Sequence, residues 1–244
     1  SVVLLLANNL AARGRKVLVI DTDLNNTITV YYTMGIGRIG EICERQNVSL
    51  AFSRGKIDEK NIVQSRRGNV YVVPSSLKLL DQRSMESLEI KKILRSAKGF
   101  DDILIDTSPT WDNIVSGALM AADLILSPVA FTEYNYNMSV CLLSKMQTVM
   151  PDQVKNLYFL FNHWSEQYSK SPSSLQNLVL SMYRKGLDNL LTAHLPDTRF
   201  MDRYTNLDQM CSVRSLYKGC ARLASGVNDL VNDIYDQNTV VEVF

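Results

Sequence analysis

Short apolar runs separated by longer amphipathic segments set the pattern of this chain. The runs are residues 17–20, 70–73, 103–105, 124–129 and 157–161. Such runs are typical of strands that are buried on both faces of a parallel sheet. The segments between them are long enough for helices, which predicts a doubly wound, mostly parallel sheet flanked by helices. Because no internal repeat or low-complexity linker interrupts the pattern, we expect a single α/β domain over residues 1–244.

Four segments are predicted to be helical. Residues 1–12 are largely apolar and are followed by Gly14, which predicts a buried helix that ends there. Residues 86–97 predict a helix whose inward side chains are Leu88, Ile90, Ile93 and Leu94. Near the C-terminus an apolar stripe steps by three and four residues, as in an amphipathic helix. The stripe consists of Leu216, Cys220, Leu223, Val227, Leu230 and Ile234. Residues 41–67 mix charged and apolar positions and predict short helices on the surface.

Three carboxylates follow apolar runs. Asp21 and Asp23 come at the end of the run Val17–Ile20, and Asp106 follows Ile103–Ile105. In open α/β folds, ligands bind at the edge of the sheet where the strands have their carboxyl ends. Carboxylates in such places hold Mg²⁺ or a water that attacks a phosphate, although they also serve as helix caps. The pattern therefore predicts phosphate chemistry at this edge.

Composition narrows the classes of function. The chain has 244 residues, 46% of them hydrophobic, and a formal charge of +1, so it is not a generally basic nucleic-acid binder. The four cysteines are scattered and form no metal-like cluster with the two histidines. No apolar run reaches the ~20 residues that a membrane span needs. We expect a cytoplasmic protein with reduced thiols.

Three segments resemble the ParA/MinD-type P-loop ATPases. Residues 10–23, LAARGRKVLVIDTD, resemble the helix, turn and strand that follow the phosphate loop of this family. Residues 102–109, DILIDTSP, resemble its Walker B strand and the following switch, and residues 128–133 resemble the next strand. The resemblance is nearest to ParA (Soj-like) partitioning ATPases. It implies a P-loop NTPase-like fold that binds ATP and Mg²⁺.

The lysine- and glycine-rich phosphate loop of that family is not found in these residues. Alignment on Leu10 places Ser1 at, or one residue after, the serine or threonine that follows the lysine of the loop. We therefore expect the first strand and the phosphate loop to lie upstream of Ser1. By the same resemblance, Ser1 itself belongs to the nucleotide and magnesium site.

The resemblance also implies roles for single side chains. Asp106 corresponds to the residue of the magnesium shell, Asp23 to the carboxylate that orients the attacking water, and Asp21 to the one that links the site to its switch. Residues i and i+2 of a strand share a face, so Asp21 and Asp23 can point at one phosphate. Asn162, after Leu157–Phe161, corresponds to the start of a base-binding loop, and its alternative is a turn-forming asparagine.

Two departures from the family lie in the switch segments. Residues 24–27 are LNNT where relatives usually have proline, glutamine and glycine, and residues 107–109 are TSP where relatives have two prolines. These changes leave the three acids in place. They bear on the rate of hydrolysis and on the choice of partner more than on nucleotide binding.

The resemblance implies a partitioning protein that dimerises on ATP, binds DNA without sequence preference and segregates plasmid or chromosomal DNA. Its partner would be a ParB-like centromere-binding protein, and it would associate with the nucleoid. Arg214, Lys218 and Arg222 fall at i, i+4 and i+8, where they align on one helix face. With Arg199 and Arg203 before them, these residues are the candidate DNA site, and a solvated helix face is the alternative.

Two other functions use the same fold. A non-hydrolysing or signalling relative would use the same fold as a nucleotide-dependent binding module. A MinD-like membrane cycle would require a basic amphipathic C-terminal tail. Residues 236–244 are acidic and short, which argues against membrane binding.

Overall fold

Strands and helices alternate along the chain, as the apolar runs predicted. The computed structural model describes residues 2–66, 68–171, 173–198 and 220–236. By their internal contacts, the described residues up to Asp123 form one compact unit and those from Leu124 onward form another.

The first unit contains a four-stranded sheet and its helices. Its elements are α1 Val2–Ala12, β1 Val17–Asp21, α2 Thr27–Thr33, α3 Ile39–Arg45, α4 Val48–Arg54, β2 Val63–Gln64, β3 Val70–Val73, a 3-10 helix Leu77–Gln82, α5 Ser87–Leu94, β4 Asp102–Asp106 and α6 Asn113–Ala121. The strand order is β2-β3-β1-β4. Strand β1 is parallel to both β3 and β4, whereas β2 is antiparallel to β3.

Helices cover both faces of this sheet. Leu18 and Ile20 of β1 belong to an apolar cluster with side chains of α4, α5 and α6. The alternate residues Val17 and Val19 are also fully buried and point to the opposite face. Helix α1 contacts β1, β3 and β4, and its Leu4, Leu5 and Leu6 are buried. Burial on both faces explains why β1 is apolar from Val17 to Ile20.

The second unit contains a three-stranded parallel sheet in the order β5-β6-β7. Its elements are β5 Ile125–Val129, α7 Glu133–Val149, a 3-10 helix Pro151–Asn156, β6 Leu157–Trp164, α8 Gln167–Lys170, α9 Ser174–Gly186, β7 Leu190–Pro196 and α10 Ala221–Asp236. Helix α10 contacts β7. Its side chains Leu223, Val227, Leu230 and Ile234 are buried, as the stripe predicted. Leu216 lies outside the described residues.

The structure corrects several details of the predicted elements. Leu88 is 58% exposed, although it was expected to point inward with Ile90, Ile93 and Leu94, which are buried. Helix α4 was expected on the surface, but it buries Val48, Ala51 and Phe52 in the core. The strands β2 and β7 were not predicted. Asn162 was expected to follow its strand, but β6 continues to Trp164.

The α/β fold class is confirmed, with mostly parallel strands and flanking helices. Among the described residues, however, the seven strands form two hydrogen-bonded sheets where one was predicted. In the described part of the chain, β4 pairs only with β1 and β5 pairs only with β6.

Candidate functional site

Asp21 is the last residue of β1 and its side chain is completely buried. Its Oδ2 accepts hydrogen bonds from the amide of Thr29 at 2.9 Å and from the Thr29 hydroxyl at 2.6 Å. Its Oδ1 accepts a hydrogen bond from the amide of Asp23 at 3.1 Å. Burial raises the pKa of Asp21 to about 6, even though these hydrogen bonds act in the opposite direction. The geometry is that of a carboxylate that holds neighbouring segments in place.

Asp106 ends β4 and lies beside Asp21 in the parallel register. The backbone amide and the hydroxyl of Thr22 both donate to the carbonyl oxygen of Asp106, at 2.9 and 2.7 Å. These bonds fix the ends of β1 and β4 together. Burial raises the pKa of the Asp106 carboxyl to about 7, and the charges of Asp21 and Asp23 add to the shift. Asp106 is therefore a carboxylate that favours either a proton or a cation.

Asp23 lies in the loop between β1 and α2 and is partly exposed. Its Oδ1 accepts from the backbone amide of Asn25, and both of its carboxylate oxygens lie 3.2 Å from the side-chain nitrogen of Asn25. The next residue, Asn26, has a left-handed backbone with φ of 56°, which asparagine tolerates better than most residues. The sequence LNNT thus forms a tight loop around the Asp23 carboxylate.

The structure brings together the three carboxylates that the sequence singled out. They meet at the carboxyl edge of the first sheet, where ligands bind in open α/β folds. Across the described ranges there is no group of three or more His, Cys, Asp or Glu side chains that could hold a metal ion. The arrangement does suit Mg²⁺, which takes one or two carboxylates and completes its shell with water and phosphate oxygens.

The other predicted site residues are placed as follows. Asn162 is partly buried within β6, in the second unit. Arg222 is exposed on α10, and its guanidinium lies 3.2 Å from the carboxylate of Glu166. The remaining candidates, Ser1, Arg199, Arg203, Arg214 and Lys218, lie outside the described residues. The roles assigned to all of these residues stay predictions.

Two contacts at the site were not predicted. Thr29 is a buried helix residue whose sequence position carries no special signal, yet it holds Asp21. Asp112 follows the second switch segment, and it caps α6 by accepting a hydrogen bond from the amide of Val115 at 2.9 Å. Asp112 also pairs with Arg83 at 3.1 Å. Its position directly before the largely apolar helical segment Asn113–Ala121 is a recognisable capping signal.

The helices of the described residues include none with the length and apolar character needed to cross a bilayer.

With its parallel strands, flanking helices and carboxylates at one sheet edge, the chain has a P-loop NTPase-like fold. A family model described as an AAA domain matches residues 1–159, which is more than half of the chain. The chain belongs to this family and is ParA/MinD-like.

Known proteins agree with this assignment. A probable plasmid-partitioning ParA protein of Thermus thermophilus is 27% identical over 126 residues, which cover 49% of this chain and 37% of that protein. A candidate plasmid partition protein of Borrelia burgdorferi bound to AMPPNP has a TM-score of 0.73 at 16% identity, covering 97% of this chain and 92% of that chain. The septum site-determining protein MinD of Pyrococcus horikoshii with Mg-ADP has a TM-score of 0.71 at 18% identity, covering 98% and 91%. At these identities the solved structures show the shared fold.

Proposed function

We propose that this chain is the ATPase of a DNA-partitioning system. In this proposal it binds ATP with Mg²⁺, hydrolyses it, dimerises in the ATP-bound state and binds DNA without sequence preference. A ParB-like centromere-binding protein would be its partner, and the nucleoid its location. The observation that carries the proposal is the meeting of Asp21, Asp23 and Asp106 at one sheet edge in a ParA/MinD-like chain.

The donor set fits a magnesium ion at Asp106. This carboxylate is partly buried beside two other carboxylates, and its side chain makes no hydrogen bond with any described residue. A divalent cation would offset both the desolvation and the repulsion that raise the pKa of Asp106. Asp106 would hold the ion, and Ser1 would contribute a second ligand by the family resemblance. When bound, the ion supplies charge neutralisation to the phosphates.

Asp23 is suited to orient the attacking water. Phosphoryl transfer depends on positioning and charge, and a residue that holds the nucleophile in line is central to it. Asp23 is partly exposed, and its backbone amide is fixed by a hydrogen bond to Asp21. Its carboxylate oxygens can accept the protons of a water placed against a phosphate.

One contact favours the alternative function, a nucleotide-dependent binding module that hydrolyses little ATP. The side chain of Asn25 lies 3.2 Å from both carboxylate oxygens of Asp23. A water must compete with this amide for the same oxygens. If Asn25 keeps its place in the nucleotide-bound protein, ATP would be held with slow turnover.

The decisive experiment measures Mg²⁺-dependent ATP binding and hydrolysis by the intact protein and its variants. Asp23→Ala should keep ATP affinity within a few-fold and lower turnover at least ~10²-fold, the usual effect of losing such a group. This variant should accumulate as an ATP-bound dimer in light scattering. Asp106→Ala should instead weaken magnesium-dependent nucleotide binding. Asp188→Ala is the control, because Asp188 is exposed and precedes β7 at the amino edge of its sheet.

The outcomes separate the two functions. Unchanged turnover in Asp23→Ala would remove this residue from the mechanism. A wild-type protein that binds ATP without turnover, together with faster hydrolysis in Asn25→Ala, would establish the binding module instead. An intact protein that binds no ATP would refute both.

A further inference from the structure

A chain of buried hydrogen bonds leads from the candidate site to the segment after β3. The amide of Ser75 donates to the Thr29 hydroxyl oxygen at 2.8 Å, and that hydroxyl donates to Oδ2 of Asp21 at 2.6 Å. The three residues Asp21, Thr29 and Ser75 are each fully buried. Thr29 therefore joins the end of β1 to the segment that follows β3 through a single hydroxyl group.

The position of Thr29 in α2 explains why its contact with Asp21 matters. The first amides of a helix need acceptors from outside the helix. The N-cap residue of α2, Asn26, makes no side-chain capping bond. Asp21 accepts from the amide of Thr29 in its place, at 2.9 Å. The start of α2 is therefore anchored on the same carboxylate that holds the amide of Asp23.

At its Ser75 end, the chain of hydrogen bonds reaches a segment that contacts α4 and begins the 3-10 helix. The carbonyl of Pro74 accepts from the amide of Val48 at 2.9 Å, which ties this segment to the start of α4. Ser76 caps the 3-10 helix Leu77–Gln82. A displacement of Ser75 would therefore also displace the start of α4 and the 3-10 helix.

We propose that Thr29 is a positioning residue, whose hydroxyl group couples the loop of Asp21 and Asp23 to the segment Pro74–Ser76. The hydroxyl both accepts from Ser75 and donates to Asp21, so each bond polarises the next. Without the hydroxyl, the buried amide of Ser75 loses its acceptor and Asp21 loses its shortest hydrogen bond. The effect of Thr29 on turnover rests on the proposed function, whereas the coupling to Ser75 does not.

The test compares Thr29→Val, which removes the hydroxyl at nearly constant volume, with Thr29→Ser, which keeps it. Thr33→Val is the matched control, because Thr33 is equally buried on α2 and its hydroxyl donates only to the carbonyl of Thr29, at 2.7 Å. Amide exchange at Ser75 is measured in the nucleotide-free protein, and kcat and KM are measured for ATP hydrolysis. Thr29→Ala replaces Thr29→Val if the latter does not fold.

We expect Thr29→Val to speed amide exchange at Ser75 by about 10-fold or more, because its acceptor is gone. Turnover should fall by about 10-fold with KM within about 3-fold, since Asp23 loses its fixed position. Thr29→Ser should stay close to wild type in both measurements, and Thr33→Val should change neither.

Unchanged exchange at Ser75 in the folded Thr29→Val protein would overturn the proposal. An equal loss of turnover in Thr33→Val would also overturn it, since general weakening of α2 would then explain the effect. A wild-type protein without ATP turnover would refute hydrolysis as the function. The exchange measurement would then decide alone whether Thr29 couples the two segments.

Discussion

Replacing Asp106 by asparagine should stabilise the nucleotide-free protein at neutral and alkaline pH. Burial and the neighbouring charges of Asp21 and Asp23 raise the pKa of Asp106 from 3.8 to about 7. The folded protein therefore pays a penalty whenever this carboxyl is ionised. Asparagine has the shape of the protonated acid and carries no charge. Because no described residue makes a hydrogen bond to the Asp106 side chain, the replacement breaks no such bond.

The size of the expected stabilisation follows from the pKa shift of Asp106. A rise from 3.8 to about 7 is about 3 units, and each unit corresponds to about 1.4 kcal/mol, so the full penalty is about 4 kcal/mol. Well below pH 3.8 the carboxyl is protonated in both the folded and the unfolded state, and the penalty is absent. Between pH 4 and 7 the folded state binds the extra proton, so stability falls as the pH rises. Above pH 7 the whole penalty applies.

The assay is equilibrium urea unfolding of the wild type and Asp106→Asn at pH 4, 6 and 8, without nucleotide or metal. The difference in the free energy of unfolding should be near zero at pH 4 and about 2–4 kcal/mol in favour of the variant at pH 8. Asp81→Asn is the control, because Asp81 is exposed in the same unit. Mg²⁺ with nucleotide should reverse the order at pH 8 by stabilising the wild type more.

Two results would refute this reasoning. An Asp106→Asn protein that is less stable than the wild type at pH 8 would mean that the carboxylate stabilises the fold. A stability difference that does not change with pH would mean that its ionisation is not the cause.

The remaining predictions concern packing and DNA. Gly117→Ala should lower the free energy of unfolding in urea by about 1–3 kcal/mol, because a Cβ there would lie 2.5 Å from Cγ2 of Ile90. Gly40→Ala is the control and should be neutral or stabilising, because a Cβ at Gly40 would have nothing within 4 Å. Destabilisation by Gly40→Ala alone would contradict this. If three basic residues on each subunit of an ATP-bound dimer contact DNA, they neutralise about six phosphates, and log affinity should fall against log salt with a slope of roughly −5. Binding is measured as retention of nonspecific duplex DNA at rising salt. A variant with alanine in place of Arg214, Lys218 and Arg222 should bind the DNA more weakly and with a shallower salt slope. Equal affinity and equal slope in the two proteins would exclude these three residues as the DNA site.

The strands that build the site could be predicted because they are buried on both faces. Burial on both faces makes the interior of a strand apolar, as in Val17–Ile20 of β1 and Ile103–Leu104 of β4. Strand β7 is different, because its buried and exposed residues alternate from Leu191 to Leu195. The short length of β2, two residues, leaves no pattern to detect.

Leu88 shows where a count of apolar residues misleads. Residues two apart on a helix do not share a face, since each residue turns the helix by about 100°. Ile90, Ile93 and Leu94 follow the three-and-four spacing and are buried, whereas Leu88 is two residues from Ile90 and is exposed. Spacing alone would have placed Leu88 outside the core.

The three carboxylates were predictable, but the contacts that distinguish their roles were not. Strand ends placed Asp21 and Asp106 at one edge, and the register then set them side by side. Asp21 and Asp23 differ in their hydrogen-bond partners. Asp21 accepts two hydrogen bonds from Thr29 of α2, whereas Asp23 contacts the side chain of Asn25. Thr29 is a β-branched residue in a short helix, where sequence offers only a weak propensity. The division between a buried carboxylate that positions and a partly exposed one that can meet a water therefore arises from tertiary contacts.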